Sequence, residues 1–281
     1  KDAGWRLRDV AAHARSDAGG WYFSGKGGRV SLPGFPELHL ERISAEHRGN
    51  AWHITDFSVN DGDGGTLAGS ATLLNGEWSA KFAWKEAGMA QMLPGSVKQH
   101  FAGKSSGTAT LENGILLGTA SITGAEAKAV PVLLKLASLF AGENWSTVPW
   151  ETFEFDFVRD RDGNISFSRL AAVSPKGLKV EGSGRLTADS LAADFQVGVE
   201  SKGRPWLVAF MPVLFRSEKE GYFWTAVRVG GTPASPTEDL TTRVVAALAA
   251  APVDGAVKAA SELPGAAVEA ADSVLKTLMG R

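Results

Sequence analysis

Cysteine is absent from the 281 residues. That excludes disulfides, iron–sulfur clusters, thiolate zinc sites and thiol nucleophiles together, and it leaves the redox compartment open. Neither sign of charge dominates. Lys and Arg total 29 against 31 Asp and Glu, a formal net charge of -2, so the chain lacks the basic footprint needed to grip phosphates, and nucleic acid is not an expected partner. Long apolar runs are missing as well. The longest, near Val130 to Ala141 and Trp206 to Phe215, stop short of the ~18–20 residues that span a bilayer. The chain starts at Lys1 with no basic, apolar and cleavage-site succession after it, so any signal or membrane anchor is expected upstream.

What is present suits a sheet protein. There are 33 glycines and nine tryptophans beside a 44% apolar share and 21% charged residues, a composition for frequent turns and large flat side chains rather than disorder. The length fits one large or two modest domains. Period-two alternation bounded by glycine turns is the dominant local signal. From Glu151 to Val158, Phe153, Phe155 and Phe157 alternate with Thr152, Glu154 and Asp156, which puts three rings on one face and the carboxylates on the other. Asp160 to Gly163 supply a turn, and Ile165 and Phe167 resume the pattern. Leu178 and Val180, then Leu191, Ala193, Phe195, Val197 and Val199, complete a four-strand meander over Glu151 to Glu200. Residues Trp21 to Thr123 read similarly with more noise. Two segments there nearly repeat, Gly69 to Gly76 and Gly107 to Gly114, each running into an Asn-Gly turn. Gly182 to Leu186 is a fainter echo.

Helical spacing predicts a helix over Val130 to Ala141, with Gly142 as its stop. Trp206 to Phe215 reads as a short helix or a loop, given Pro205 and Pro212. Ser235-Pro236-Thr237-Glu238 carries a capping-box signature, so a helix is expected after it, followed by weaker alanine-rich helices to Met279. The domains expected are a β-meander over 1–126, a helix-plus-meander module over 127–236 and a helical tail over 237–281.

Chemical motifs are few. Gly20 to Lys26 has the glycine spacing of a phosphate loop, but Gly27 stands where a hydroxyl should be and three aromatics fill the loop; Gly103-Lys104-Ser105 lacks the leading glycine. Asn60 to Gly65 and Asp160 to Asn164 resemble the start of calcium loops, yet a twelve-residue count ends on Thr72 and Ala171 rather than on a carboxylate, so hairpin turns are expected. Of the five histidines, His13, His39, His47, His53 and His100, no pair has helical zinc-hydrolase spacing; His39, His47 and His53 share strand parity. No glycine-flanked nucleophile elbow occurs, and Glu154 and Asp156 fall on the outer face. No enzyme, cofactor or metal is expected. The aromatic stripe is either a closed core under a helix or an open apolar trough.

The order of elements from Ala127 to Pro236 resembles the C-terminal region of AsmA-like proteins, relatives of TamB in the envelopes of diderm bacteria. The matching features are the apolar segment ending in Leu139-Phe140, Phe153-Glu154-Phe155, Asp162-Gly163-Asn164-Ile165, and Ser174 to Gly184. Val229-Gly230-Gly231-Thr232-Pro233 with Pro236 is similar to the family's closing signature. Gly64 to Gly69 and Gly103 to Leu111 are similar to the hairpins preceding that region. The resemblance implies a mainly β fold with helical inserts: an elongated, twisted antiparallel sheet curled into a groove, apolar inside, with C-terminal amphipathic helices. It also implies a periplasmic protein tethered to the inner membrane, handling phospholipid in outer-membrane lipid homeostasis without catalysis. Phe153, Phe155, Phe157, Ile165, Phe167, Val180, Phe195 and Val197 are the expected groove lining. The other reading is an envelope interaction or assembly module with a sealed core and a protein partner.

Overall fold

The computed structural model describes residues 6–31, 37–88, 101–128, 147–202, 214–215, 217–233, 235–240 and 242–243. Among them the assigned elements are all strands. They are β1 (Arg6–Arg8), β2 (Ala11–Asp17), β3 (Gly20–Lys26), β4 (Arg29–Ser31), β5 (Leu38–Arg48), β6 (Ala51–Asn60), β7 (Thr66–Leu74), β8 (Glu77–Gly88) and β9 (Phe101–Glu112). Then follow β10 (Ile115–Lys128), β11 (Thr147–Trp150), β12 (Thr152–Arg159), β13 (Ile165–Ser174), β14 (Leu178–Leu186), β15 (Leu191–Glu200), β16 (Ser217–Lys219), β17 (Tyr222–Thr232) and β18 (Ser235–Glu238). The described residues are therefore almost entirely antiparallel β, as the alternation predicts. The expected helix over 130–141, the stretch from Trp206 to Val213 and the alanine-rich tail lie outside the described residues.

Chain contacts divide the molecule into two compact units, Lys1–Ala125 with Glu154–Phe167 and Glu126–Phe153 with Ser168–Arg281. In the first, β2 pairs with β3, β3 and β4 with β5, and β5 to β9 follow one another as antiparallel neighbours. Leu116 to Ser121 of β10 pair with Glu154 to Arg159 of β12. The hairpins close as their residues dictate. Asn75-Gly76 and Asn113-Gly114 all have positive φ, 52° and 84°, then 51° and 74°, the two-residue turn whose twist suits the flanking strands.

The two calcium-loop lookalikes are also turns. Asp61 Oδ1 accepts from the Asp63 and Gly65 N–H groups at 2.9 and 2.8 Å. Asp160 Oδ1 accepts from those of Asp162 and Asn164 at 3.0 and 2.9 Å. Carboxylates used in this way close Asx turns. Gly20 to Lys26 is a strand and Gly103-Lys104-Ser105 lies within β9, so neither phosphate-loop lookalike is a loop.

In the second unit, β14, β15, β17 and β18 form successive antiparallel pairs, with β16 also on β17. The capping-box reading of Ser235 to Glu238 is corrected here: these residues are β18, paired with Val229 to Thr232. The first helical bond is donated by Arg243 N–H to the Asp239 carbonyl at 3.2 Å, so the cap is Asp239. Pro236 fits an edge strand, where its missing N–H costs no ladder bond.

Candidate functional site: a one-sided apolar face

Strand registers in the first unit align side chains into rows running across the sheet. Leu40, Val59, Leu67, Trp84 and Gly107 form one; Ile43, Phe57, Gly69, Phe82 and Ala109 form the next. Phe23, Ala45, Ile54, Ala71, Ala80 and Leu111 form a third, and Trp21, His47, Trp52, Leu73 and Trp78 a fourth. Adjacent rows on the same side are two residues apart along most strands, so the four share one face. The opposite face carries Tyr22, Glu46, His53, Thr72 and Ser79 in one row and Arg42, Ser58, Ala68, Ala83 and Thr108 in another. One side is apolar and the other predominantly polar.

Exposure along the apolar face is graded. Leu40, Val59 and Trp84 are 4–7% exposed, whereas Trp21, Trp52 and Trp78, beside the hairpin turns, are 50%, 37% and 40% exposed. Trp84, Ala109 and Ala120 are the buried centre, with Leu67, Phe82, Leu116, Phe155 and Phe157 packed around them. The Trp84 indole donates to Ser105 Oγ at 2.9 Å, which satisfies the one polar atom of a buried ring.

Glycines set how the rings lie. A Cβ on Gly107 would meet Trp84 at 2.4 Å, one on Gly118 Phe157 at 2.5 Å, one on Gly69 Phe82 at 2.7 Å and one on Gly182 Phe195 at 2.5 Å. At Gly107, Gly118 and Gly182 the ring covers the bare backbone of a neighbouring strand, whereas at Gly69 the close atoms are the Phe82 Cα and Cβ. The first glycine of the second repeat and that of the echo are thus seats of an aromatic ring.

The expected lining residues fall four to each unit. Phe155, Phe157, Ile165 and Phe167 belong to the first and are half-buried. The Phe155 and Phe157 rings lie 6.2 Å apart, and Phe157 lies 6.2 Å from Trp84, so these two join the apolar face. The Asp160 N–H bond to the Asn164 carbonyl sets a register that puts Phe157 opposite Phe167. Phe153, Val180, Phe195 and Val197 belong to the second unit. There Val180, Val197 and Thr225 align, as do Gly182, Phe195 and Val227, while Phe153 meets Trp150 edge-on at 6.1 Å.

The second unit's apolar face is closed. Leu178, Val199 and Phe223 form a row 0–4% exposed, with Phe215 itself buried 5.8 Å from Phe223. Val197 is 4% exposed; Phe153, Val180 and Phe195 are half-buried.

In the first unit a β-bulge shifts the alternation of β6, which hides Phe57 as a lining residue, whereas Trp78, Phe82 and Trp84 alternate without a break along β8 and show as lining only once the cross-strand register is known. In β6 the inward positions change from Trp52 and Ile54 to Phe57 and Val59 across an irregularity between Ile54 and Phe57. The shared parity of His39, His47 and His53 does not bring them to one face: the irregularity between Leu40 and Arg42 separates His39 from His47, and the hairpin register, with Glu46 opposite His53 and His47 opposite Trp52, separates His47 from His53. His47 lies on the apolar face, its ring 4.7 Å from Trp52, whereas His53 is on the polar face with Nδ1 3.3 Å from Thr72 Oγ1. Among the described residues no group of three His, Asp or Glu is arranged to hold a metal.

On the polar face Glu41 accepts from Ser58 Oγ at 2.5 Å and Asn60 Nδ2 at 3.0 Å. These bonds, the Ser58 one foremost, hold its carboxyl below the ordinary value. Arg42 Nε donates to Asp56 at 2.5 Å. Such pairs brace a solvated surface.

No family model, curated protein or solved structure matches the chain.

Proposed function

We propose that this chain is a non-enzymatic cell-envelope protein that holds the acyl chains of phospholipid along the apolar face of its first unit, in the manner of the AsmA-like proteins that its sequence resembles. The observation that carries the reading is the graded face: large apolar side chains run in register across five strands and emerge into solvent as Trp21, Trp52 and Trp78. An acyl chain laid on such a surface gains about 0.8 kcal/mol per buried methylene, so retention needs no catalytic group. Indoles at the solvent end suit the boundary between acyl chains and headgroups. In this reading the sheet curls into an elongated twisted groove, works in the periplasm in outer-membrane lipid homeostasis, and is tethered to the inner membrane through a segment upstream.

The closed face of the second unit favours a further role for that part of the chain: Leu178, Val199 and Phe223 are a packed core, and its outer surface serves protein–protein assembly in the envelope.

Mass spectrometry of natively purified protein tests the lipid reading, with co-purifying phospholipid the expected result. Phe155→Glu places a charge on the apolar face, at a cost of several kcal/mol if the site is dry. The variant is expected to stay folded and lose its lipid. A variant that melts far earlier, together with lipid-free parent protein, would overturn the proposal.

A further inference from the structure

Strand β2 forms one edge of the first unit's sheet. All seven of its residues, Ala11 to Asp17, are exposed, and its one strand partner among the described residues is β3. An open edge of this kind presents a row of main-chain donors and acceptors, and proteins ordinarily blunt it with proline, a bulge or a charge pointing into the apolar side. β2 contains no proline, and its register with β3 runs unbroken from Ala11↔Lys26 to Asp17↔Gly20.

The two faces of the edge differ. Ala14 and Ser16 lie opposite Phe23 and Trp21 on the apolar side, and His13 and Arg15 opposite Ser24 and Tyr22 on the polar side. The apolar face therefore drops from large rings to short side chains at the edge, and Trp21 is left 50% exposed. Arg15 stacks on the Tyr22 ring at 4.9 Å. Asp17 turns its carboxylate to the Gly19 N–H at 2.7 Å, and Glu46 is engaged by Arg48 at 3.2 Å.

From this arrangement we infer that β2 accepts an extended polypeptide segment as an added strand, one in which large apolar residues alternate with carboxylates. Its apolar residues continue the face beyond Ala14 and cover Trp21, and its carboxylates lie across from His13 and Arg15. A second copy of the chain is a poorer occupant. Antiparallel self-pairing about Ala14 brings only Ala12, Ala14 and Ser16 to the apolar side and sets His13 against Arg15. This inference is independent of lipid, because strand addition draws its affinity from main-chain bonds and its selectivity from alternate side chains.

The test uses a labelled synthetic octapeptide with the sequence of Thr152 to Arg159, in which Phe alternates with Glu and Asp, titrated against the whole protein by fluorescence anisotropy. Saturable binding is expected, and a peptide of the same composition with its phenylalanines contiguous should not bind. Arg15→Glu is expected to weaken the acidic peptide about tenfold and to strengthen one in which Phe alternates with Lys. That reversal cannot come from misfolding. Equal binding of the ordered and scrambled peptides, or an unchanged preference in Arg15→Glu, would overturn the inference. So would a concentration-dependent dimer abolished by Ala14→Lys, since a second copy would then hold the edge.

Discussion

At the scale of single residues, the pairing of a glycine with a ring on the next strand is the feature that most constrains the apolar face. Ala at Gly107 would set its Cβ 2.2 Å from the Thr119 carbonyl oxygen as well as against Trp84, and Ala at Gly182 would meet the Asp194 carbonyl oxygen at 2.6 Å. Backbone cannot yield as a flexible side chain does, so each substitution is expected to cost about 1–3 kcal/mol or more in urea unfolding. Trp84→Leu should recover part of the loss at Gly107, and a double-mutant cycle measures the coupling. Ser105→Ala leaves the buried Trp84 indole N–H without its acceptor and is expected to cost about 1–3 kcal/mol. Of this chemistry the sequence exposed only the outline. The recurring Gly-Ser-Ala-Thr and Gly-Thr-Ala-Thr segments were legible as repeats, but the residues that lie against their glycines, Phe82 and Trp84, are more than ten residues from Gly69 and Gly107, and cross-strand register is a tertiary property.

Single strands read easily wherever alternation was unbroken. Thr152–Arg159 through Leu191–Glu200 follow the expected four-strand meander closely, because no bulge intervenes between the aromatic positions of β12 and the hairpin register carries them forward. β5 carries one bulge between Leu40 and Arg42, and β6 one between Ile54 and Phe57, which also shifts the pairing between Ser44 and Ala45. Each bulge exchanges inward and outward positions along the strand that carries it, so β5 and β6 were the least legible part of the candidate site. Ser235 to Glu238 misled for another reason: a Ser-Pro-x-Glu run satisfies a helix cap and an edge strand alike, and pairing with β17 decided it. The bulged region also carries a pH dependence. Glu41 has a folded-state pKa below the ordinary value of about 4.5, chiefly from the Ser58 hydroxyl and then the Asn60 amide. Its stabilisation is therefore complete above that ordinary value and is lost as pH falls through the lowered folded one. Glu41→Gln is expected to flatten the acid limb of a plot of Tm against pH, leaving the curve between pH ~6 and ~8 almost parallel to that of the parent.

For the molecule as a whole, the two units make opposite use of one sheet design. Both have apolar rows in register and rings seated on glycines, yet the second buries its Leu178, Val199 and Phe223 row while the first leaves Trp21, Trp52 and Trp78 partly in solvent. A face that ends in exposed indoles has an optical consequence. Phospholipid carrying bromine on its acyl chains quenches a tryptophan only on close approach, so bound acyl chains should quench the three exposed indoles more than Trp84 or Trp150, which are 7% and 6% exposed. The red-shifted part of the emission should therefore fall first. Trp21→Phe, Trp52→Phe and Trp78→Phe, made one at a time, should each remove a share of the quenchable signal and leave the fold intact, since a ring is kept at each site. Bromination close to the headgroup should quench more than bromination at the chain end if the turn end of the strands is where the headgroup rests, because the indoles lie beside the turns and the buried rings lie further along the same strands. Emission unchanged by brominated lipid, in protein that is folded by its melting transition, would mean that the first unit's face is closed to acyl chains and would leave the assembly reading for both units.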